Sequence, residues 1–481
     1  MIDRILDVAA WIDSALWGPW TIIFIAFAFV YFTVRSRFFQ VAKLGFITRS
    51  TFGSLFEARK GDQEDTAETL KKRKGRMTPF QATSTALAST VGMGSIAGVA
   101  TALSTGGPGA ILWMWLLALL GTMTKTAEIT LAVHYRDIDQ GGRVRGGPMY
   151  YINRGLGWPF LALLFSLGIF INALCAASLL QAHTVGRSFL KSYELNPYFV
   201  TAAMTVVTAM VVIGGVRRIG RFSERLVPLM SAVYVVGGLA LLAVNFSAIP
   251  EVFRSIFTYA FAPMPAVGGV AGVAVSQAIQ TGMARGMFTN EAGMGTAPMA
   301  HATADTAHPF QQGMWGAIEV FIVTFVICTI TSFAVLSTGA LAGGESGIEL
   351  VMTAFSSVFP EKISGNLISF CILAFCLTTQ IGFFIYFETA AVSVFGAKAV
   401  KYLKWIYFIP PVAFAGVADV DRIWVFANIA VAVCAIPNLI AVLLLSGGFL
   451  TLMRDYVTGR NVYAAAVIDA SKDYVRKAPT K

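Results

Sequence analysis

Eleven stretches of this chain are long and apolar enough to cross a lipid bilayer. A helix needs roughly 20 apolar residues to span about 30 Å of hydrocarbon. The stretches run over 15–34, 80–104, 109–133, 158–186, 198–216, 224–245, 270–302, 312–338, 364–395, 402–418 and 421–447. Runs such as AILWMWLLALLGTM and NLIAVLLLSGGFL lack the alternation of a membrane β-strand. Only 13% of the residues are charged, about half the share of a soluble domain. That excludes a string of soluble domains, and the expected fold class is an all-α polytopic membrane protein of 11 spans. The first stretch lacks a basic leader and follows Asp3, Asp7 and Asp13, so it reads as a span and not as a cleaved signal.

The formal net charge of +10 invites a nucleic-acid reading, but the positions of the charges argue for topology. The loop 35–79 holds eleven lysines and arginines, including Lys71, Lys72, Arg73, Lys74 and Arg76. Arg136, Arg143, Arg145 and Arg154 occupy 134–157, Arg217, Arg218 and Arg221 follow the fifth span, and Lys398, Lys401 and Lys404 follow the ninth. The tail adds Arg454, Arg460, Lys472, Arg476, Lys477 and Lys481. With eleven spans these all fall on one side, whereas 339–363 sets Glu345, Glu349 and Glu361 against Lys362. The basic side is expected to be cytoplasmic. The protein then sits in a plasma membrane of the prokaryotic inner-membrane type, N-terminus outside and C-terminus inside. No nucleic acid and no obligate protein partner is implied. Cys175, Cys328, Cys371, Cys376 and Cys434 lie in apolar runs without metal-ligand spacing and read as buried thiols.

The basic, polar loop 35–79 contains the segment GDQEDTAETLKKRKG, which reads as solvated and partly helical. It separates one extra helix (1–34) from ten further spans. These divide into halves of five, 80–245 and 246–447, followed by a tail at 448–481. An odd number of spans per half inverts the second half relative to the first, the inverted repeat of many secondary transporters. Each half opens on a span rich in small polar residues: ALASTVGMGSIAGVA at 86–100 and RGMFTNEAGMGTAPMAHA at 285–302. Both carry Gly-Met-Gly followed by a hydroxyl residue, at 92–95 and 293–296. Glycine weakens a helix by about 1 kcal/mol per residue relative to alanine, and lipid tolerates broken backbone only against protein or water. Two readings follow. Either the helices are discontinuous near the midplane, with N–H groups facing an anion and carbonyls facing a cation, or they pack closely through small residues.

Charges at membrane depth are costly and usually functional. Lys125 and Glu128, three residues apart, are expected to pair across one helical turn. Arg285 and Glu291 flank the second suspected break as mutual partners, gate residues or helix-end caps. Glu388 is expected at the inner interface. Glu319 has no partner in sequence and is either a coupling-proton carrier or a buried structural carboxyl. Gln181 suits a zwitterion, since its amide donates and accepts, or serves an interhelical hydrogen bond. Thr378 and Thr379 offer oxygens to a hard cation, or bond back to the preceding turn. His134, His183, His301 and His308 lie scattered near span ends. The chain contains no GxxxxGK[ST], HExxH or GxSxG motif that would support an ATP-driven pump or an enzyme.

The long motifs at 80–152, from FQATSTALASTVGMGSIAGVA through GGPMYYI, and at 285–302 carry a specific likeness. With SLLQAHTVG at 178–186 and GFFIYFE at 382–388, they resemble the alanine/glycine:cation symporter family. That family is a branch of the amino acid–polyamine–organocation superfamily, and the likeness covers about 20–450. It implies a LeuT-like fold, two inverted five-helix repeats with discontinuous first helices, plus the extra N-terminal helix. It implies sodium-coupled symport of small neutral amino acids, such as alanine or glycine, by alternating access. The sodium ion (Na+) would meet the carbonyls of Ala88 and Val91 and the hydroxyls of Thr378 and Thr379. The substrate would meet Thr90, Gly92, Gly94, Ser95 and Gln181, with Phe288, Asn290 and Phe383 closing the side-chain pocket. Two positions depart from the family pattern: Gly94-Ser95 stands where Gly-Asn is usual, and Gly382-Phe383 where Gly-Trp is usual. Both changes point to a larger pocket with altered polar contacts. Val323 stands where an acid is often found, four residues after Glu319. A proton-coupled carrier and an amino-acid sensor or channel on the same scaffold are the alternatives.

Overall fold

The computed structural model describes residues 2–61, 76–138, 143–265, 272–414, 420–460 and 463. The basic run at 71–74, most of the polar segment at 61–75 and the tail lysines and arginine at 472–481 lie outside the described residues. The described residues are almost entirely helical, with one antiparallel pair of two-residue strands in which Asp137 faces Arg145 and Ile138 faces Val144. Local chemistry sets the helix starts. Pro79, Pro159, Pro197 and Pro309 each stand in the first helical turn, where a missing N–H costs nothing. Thr78 and Gln81 complete a reciprocal capping box, satisfying two donors that would otherwise be orphaned.

Among the described residues, seven helical segments are long and apolar enough to cross a membrane, not eleven. They are Asp7–Arg35, Gly109–His134, Pro159–Tyr193, Val216–Val244, Pro309–Ser337, Glu361–Ala413 and Ile423–Leu444. The shortfall has physical causes. The stretches 80–104 and 270–302 are interrupted, so no unbroken piece of either is long enough. The stretch 198–216 yields the 17-residue apolar helix Pro197–Ile213, at the short end of the spanning range. The expected separate span 402–418 is instead joined to the helix before it. Glu361–Leu403 turns at Gly396 (φ +80°) and continues as two short pieces, Lys404–Phe408 and Ile409–Ala413. Leu44–Gly61 forms a helix that the loop after the first span was not read to contain.

Aromatic and aliphatic side chains such as Trp20, Phe160, Phe199 and Val236 are exposed on the outer helix faces, as a multi-pass membrane protein requires of its lipid-facing surface. Residues 82–100 and 289–304 are all buried, so the polar, glycine-rich segments occupy the interior. The ends of these two segments are stitched together. Met77 N–H donates to the Thr303 carbonyl (3.1 Å), Asp305 N–H donates to the Met77 carbonyl (2.8 Å), and Arg76 pairs with Asp305 at 3.0 Å. Arg136 reinforces the seam with hydrogen bonds to the carbonyls of Ala302 (3.2 Å) and Ala304 (2.6 Å). All five cysteines are free; four are buried, while Cys175 is only half-buried, a departure from the uniform burial expected.

Candidate functional site

The first interrupted helix runs from Pro79 to Thr90, breaks, makes a single 3-10 turn at Met93–Ser95, and resumes as Ala97–Gly106. Gly92 is extended at the break. A Cβ there would lie 2.4 Å from Thr379 Oγ1 and 3.2 Å from Gln181 Oε1, so glycine admits two polar side chains to the backbone. Gln181 meets the break directly: its Oε1 accepts from Met93 N–H at 3.2 Å and its Nε2 donates to the Ala176 carbonyl at 3.2 Å. Thr379 Oγ1 donates to the Ala88 carbonyl at 3.0 Å. Gly382, three residues on, lets its helix press against the first half-helix, for a Cβ there would lie 2.2 Å from Ser89 Oγ.

The second interruption is built differently. Val275–Asn290 ends at Glu291, which adopts the left-handed conformation (φ +56°), and Gly293 (φ +84°) and Gly295 (φ +73°) follow before Ala297–His301. A left-handed non-glycine residue is uncommon, and here side chains secure the turn. Asn290 Oδ1 accepts from Ala292 N–H at 3.0 Å, Thr296 Oγ1 donates to Glu291 Oε2 at 2.7 Å, and Asn438 Nδ2 donates to the Gly293 carbonyl at 2.9 Å. Asn438 also bonds Tyr151 and Glu128. Lys125 Nζ donates to the Asn290 carbonyl at 2.8 Å, at the C-terminal end of the half-helix, where the helix dipole favours a cation.

This corrects the expected ion pairs. Lys125 and Glu128 do not form the local pair. Lys125 pairs with Glu319 at 3.0 Å, Glu319 also meets His301 Nε2 at 2.6 Å, and His301 Nδ1 lies 2.8 Å from Gln312 Nε2. The side chains of Lys125, Glu319 and His301 are fully buried. Glu319 thus has two partners, both remote in sequence. Arg285 stacks over the Trp424 ring at 3.9 Å, while Glu291 turns to Thr296. The histidines are less scattered than expected, since His134 and His308 both pack against the Tyr463 ring. Glu388 is partly exposed and lies 3.9 Å from Arg143.

A small cavity opens between the breaks. It is lined by Ser89, Thr90, Gly92, Gly94, Asn172, Ala176, Ala177, Gln181, Phe288, Glu291, Met294, Thr379 and Phe383. Its volume of about 20 Å³ corresponds to about one water. A larger opening of about 790 Å³ lies on the face of the basic loops, lined by residues including Arg145, Glu388, Lys401, Thr303 and Phe384. It reaches the end of the second broken segment at Thr303 and the neighbour of Phe383.

Thr90, Gly92, Gly94, Gln181, Phe288 and Phe383 therefore share one cavity with Thr379. Ser95 and Asn290 are buried but do not line it: the Ser95 carbonyl accepts from Thr331 Oγ1 (3.0 Å), and Asn290 Nδ2 donates to Thr324 Oγ1 (3.4 Å). Ala88 meets Thr379, and Val91 is fully buried, with its N–H bonded to the Leu87 carbonyl. Thr378 Oγ1 donates back to the Phe375 carbonyl at 2.9 Å. Ser89, Asn172, Ala176, Ala177, Glu291 and Met294 were missing from the sequence-derived site. Asn172 left a signal, as the single amide in PFLALLFSLGIFINALCAASLL.

The sodium:alanine symporter family profile matches residues 2–469. A Methanococcus maripaludis protein described as "Sodium/alanine symporter AgcS" is 33% identical, covering 91% of this chain and 94% of its own. A Bacillus subtilis protein described as "Probable sodium/glutamine symporter GlnT" is 34% identical, covering 95% and 92%. Among solved structures, MhsT in complex with L-phenylalanine superposes with a TM-score of 0.56 at 15% identity, covering 76% of this chain and 88% of that one. The likeness to MhsT concerns the fold.

Proposed function

Because this chain belongs to the sodium:alanine symporter family, and so to transporters and not enzymes, we propose that it is a sodium-coupled importer of small neutral amino acids. The observation that carries the reading is the meeting of two interrupted helices at one buried cavity. Carbonyls and N–H groups freed from helical pairing, together with the Gln181 amide, suit a zwitterion. A sodium ion, as the second transported species, needs buried oxygens without a competing cation. The Ala88 carbonyl and the Thr379 hydroxyl, 3.0 Å apart, supply two such oxygens, and Val91 and Thr378 are the further candidates. Thr90, Gly92, Gly94, Ser95 and Gln181 would hold the head group, and Phe288, Asn290 and Phe383 the side chain. In this reading 80–245 and 246–447 are inverted repeats, and the basic loops face the cytoplasm.

Sodium binding first and bridging the two halves favours an outward-open state. The amino acid then docks, the cavity closes, and the core rocks to release both ligands toward the basic opening. Each ligand stabilises the conformation that the other needs, a reciprocal coupling typically of about 1–3 kcal/mol. Radiolabelled alanine uptake into proteoliposomes tests this. Uptake should require an inward sodium gradient and stop when choline replaces sodium. Uptake that ignores sodium but follows a pH gradient would reject sodium coupling and favour a proton carrier. Non-concentrative uptake would favour the sensor or channel alternative.

A further inference from the structure

Asn172 is 1% exposed, and neither its Oδ1 nor its Nδ2 has a hydrogen-bond partner. An amide buried with both ends unmet forfeits its hydration without compensation, so a native protein keeps one where something else completes it. Asn172 lines the cavity between the broken helices. It is the last residue before a π-helical stretch, Ala173–Leu179, and such widened turns are frequent at functional sites. Its neighbours one turn on, Ala176 and Ala177, line the same cavity and offer only methyl groups.

The other polar side chains of the cavity are engaged. Gln181 uses its oxygen on Met93 and its nitrogen on Ala176, and Glu291 accepts from Thr296. Asn172 therefore holds an unused acceptor and an unused donor side by side. A hydroxyl or carboxamide matches that pair, whereas a methyl or isobutyl group would leave both ends unmet. We infer that Asn172 reads the side chain of the transported amino acid, and that the pocket selects neutral side chains able to donate and accept a hydrogen bond over apolar ones of the same shape. The inference rests on the symport reading and narrows its substrate class.

Isosteric pairs test it: serine against 2-aminobutyrate, and asparagine against leucine, as sodium-driven uptake by the full chain in proteoliposomes. Each polar member should exceed its isostere at least tenfold in kcat/KM, because a site built to hydrogen-bond rejects the analogue that cannot. Asn172→Leu should bring both ratios to within about threefold of unity, and Asn172→Ser should retain part of the serine preference. If Asn172→Leu does not fold, as judged by its thermal melt, Asn172→Ala carries the same expectation. Equal uptake within each pair by the unmodified chain, or a preference that survives the substitution, overturns the inference alone. No sodium-dependent uptake of any amino acid overturns the symport reading instead. The same pairs compared by thermal shift then decide the inference, a larger shift from the polar member supporting it and equal shifts overturning it.

Discussion

The two interrupted helices solve one problem in opposite ways. The first breaks gently, with one extended glycine and one 3-10 turn, and a neutral amide from a third helix meets its backbone. The second breaks sharply, through three alternate positive-φ positions at 291, 293 and 295, and a buried ionic cluster braces it. A neutral, lightly engaged break leaves polar backbone free to exchange partners with a ligand. A break clamped by Lys125, Glu319, Asn438 and Thr296 is a scaffold, because breaking a buried charge pair leaves an uncompensated charge. On the proposed symport reading, the first break is the side expected to respond to ligands and the second the side expected to hold its shape.

The largest expected effect tests the scaffold. Lys125→Met strands the Glu319 carboxylate and the Asn290 carbonyl, and should destabilise the protein by about 3–5 kcal/mol, seen as a lowered melting temperature in detergent. Adding Glu319→Gln should recover part of the loss. A Lys125→Met protein that melts like the parent would erase the distinction between the breaks. Next, Gly92→Ala places a methyl 2.4 Å from Thr379 Oγ1. Overpacking of this kind costs about 1–3 kcal/mol, and uptake should fall much further than stability. Gln181→Leu leaves Met93 N–H without its acceptor, at about 1 kcal/mol, and should raise KM for the amino acid with a smaller change in melting temperature.

The smallest effect lies outside the spans. Burial holds the His308 imidazole below its usual pKa, outweighing the opposing pull of Asp455. A histidine with a lowered folded-state pKa stabilises the fold fully above the unfolded value, near 6.5, and progressively less as pH falls below it. The melting temperature should drop on acidification below about 6.5, and His308→Gln should flatten that slope. A steeper slope in the variant would contradict the assignment.

The positions of both breaks could be read from sequence, because Gly-Met-Gly with flanking hydroxyls is poor helix and poor lipid surface at once. The partners of the buried charges could not. Local spacing pairs Lys125 with Glu128, but the fold brings in Glu319 from another helix, and a turn-by-turn rule has no access to that contact. Asn172 was overlooked for a related reason: a single polar residue in an apolar run reads as tolerated until its surroundings show that nothing satisfies it. The turn at Gly396, which joins the expected separate span 402–418 to the helix before it, left no such mark, since composition records apolar length but not where the helix axis turns.

The seam between Met77 and Thr303–Asp305 also bears on biosynthesis. Arg76 and Asp305 are 229 positions apart, so the ribosome finishes the first glycine-rich helix long before its anchoring segment at 303–305 exists. At about 5–20 residues per second the delay is on the order of ten seconds or more. During that interval an interrupted segment bearing Ser84, Ser89, Thr90 and Ser95 has no second half to cover it. Newly made protein is therefore most exposed to quality-control proteases before residue 305 emerges, and truncations upstream of that point should be cleared from the membrane.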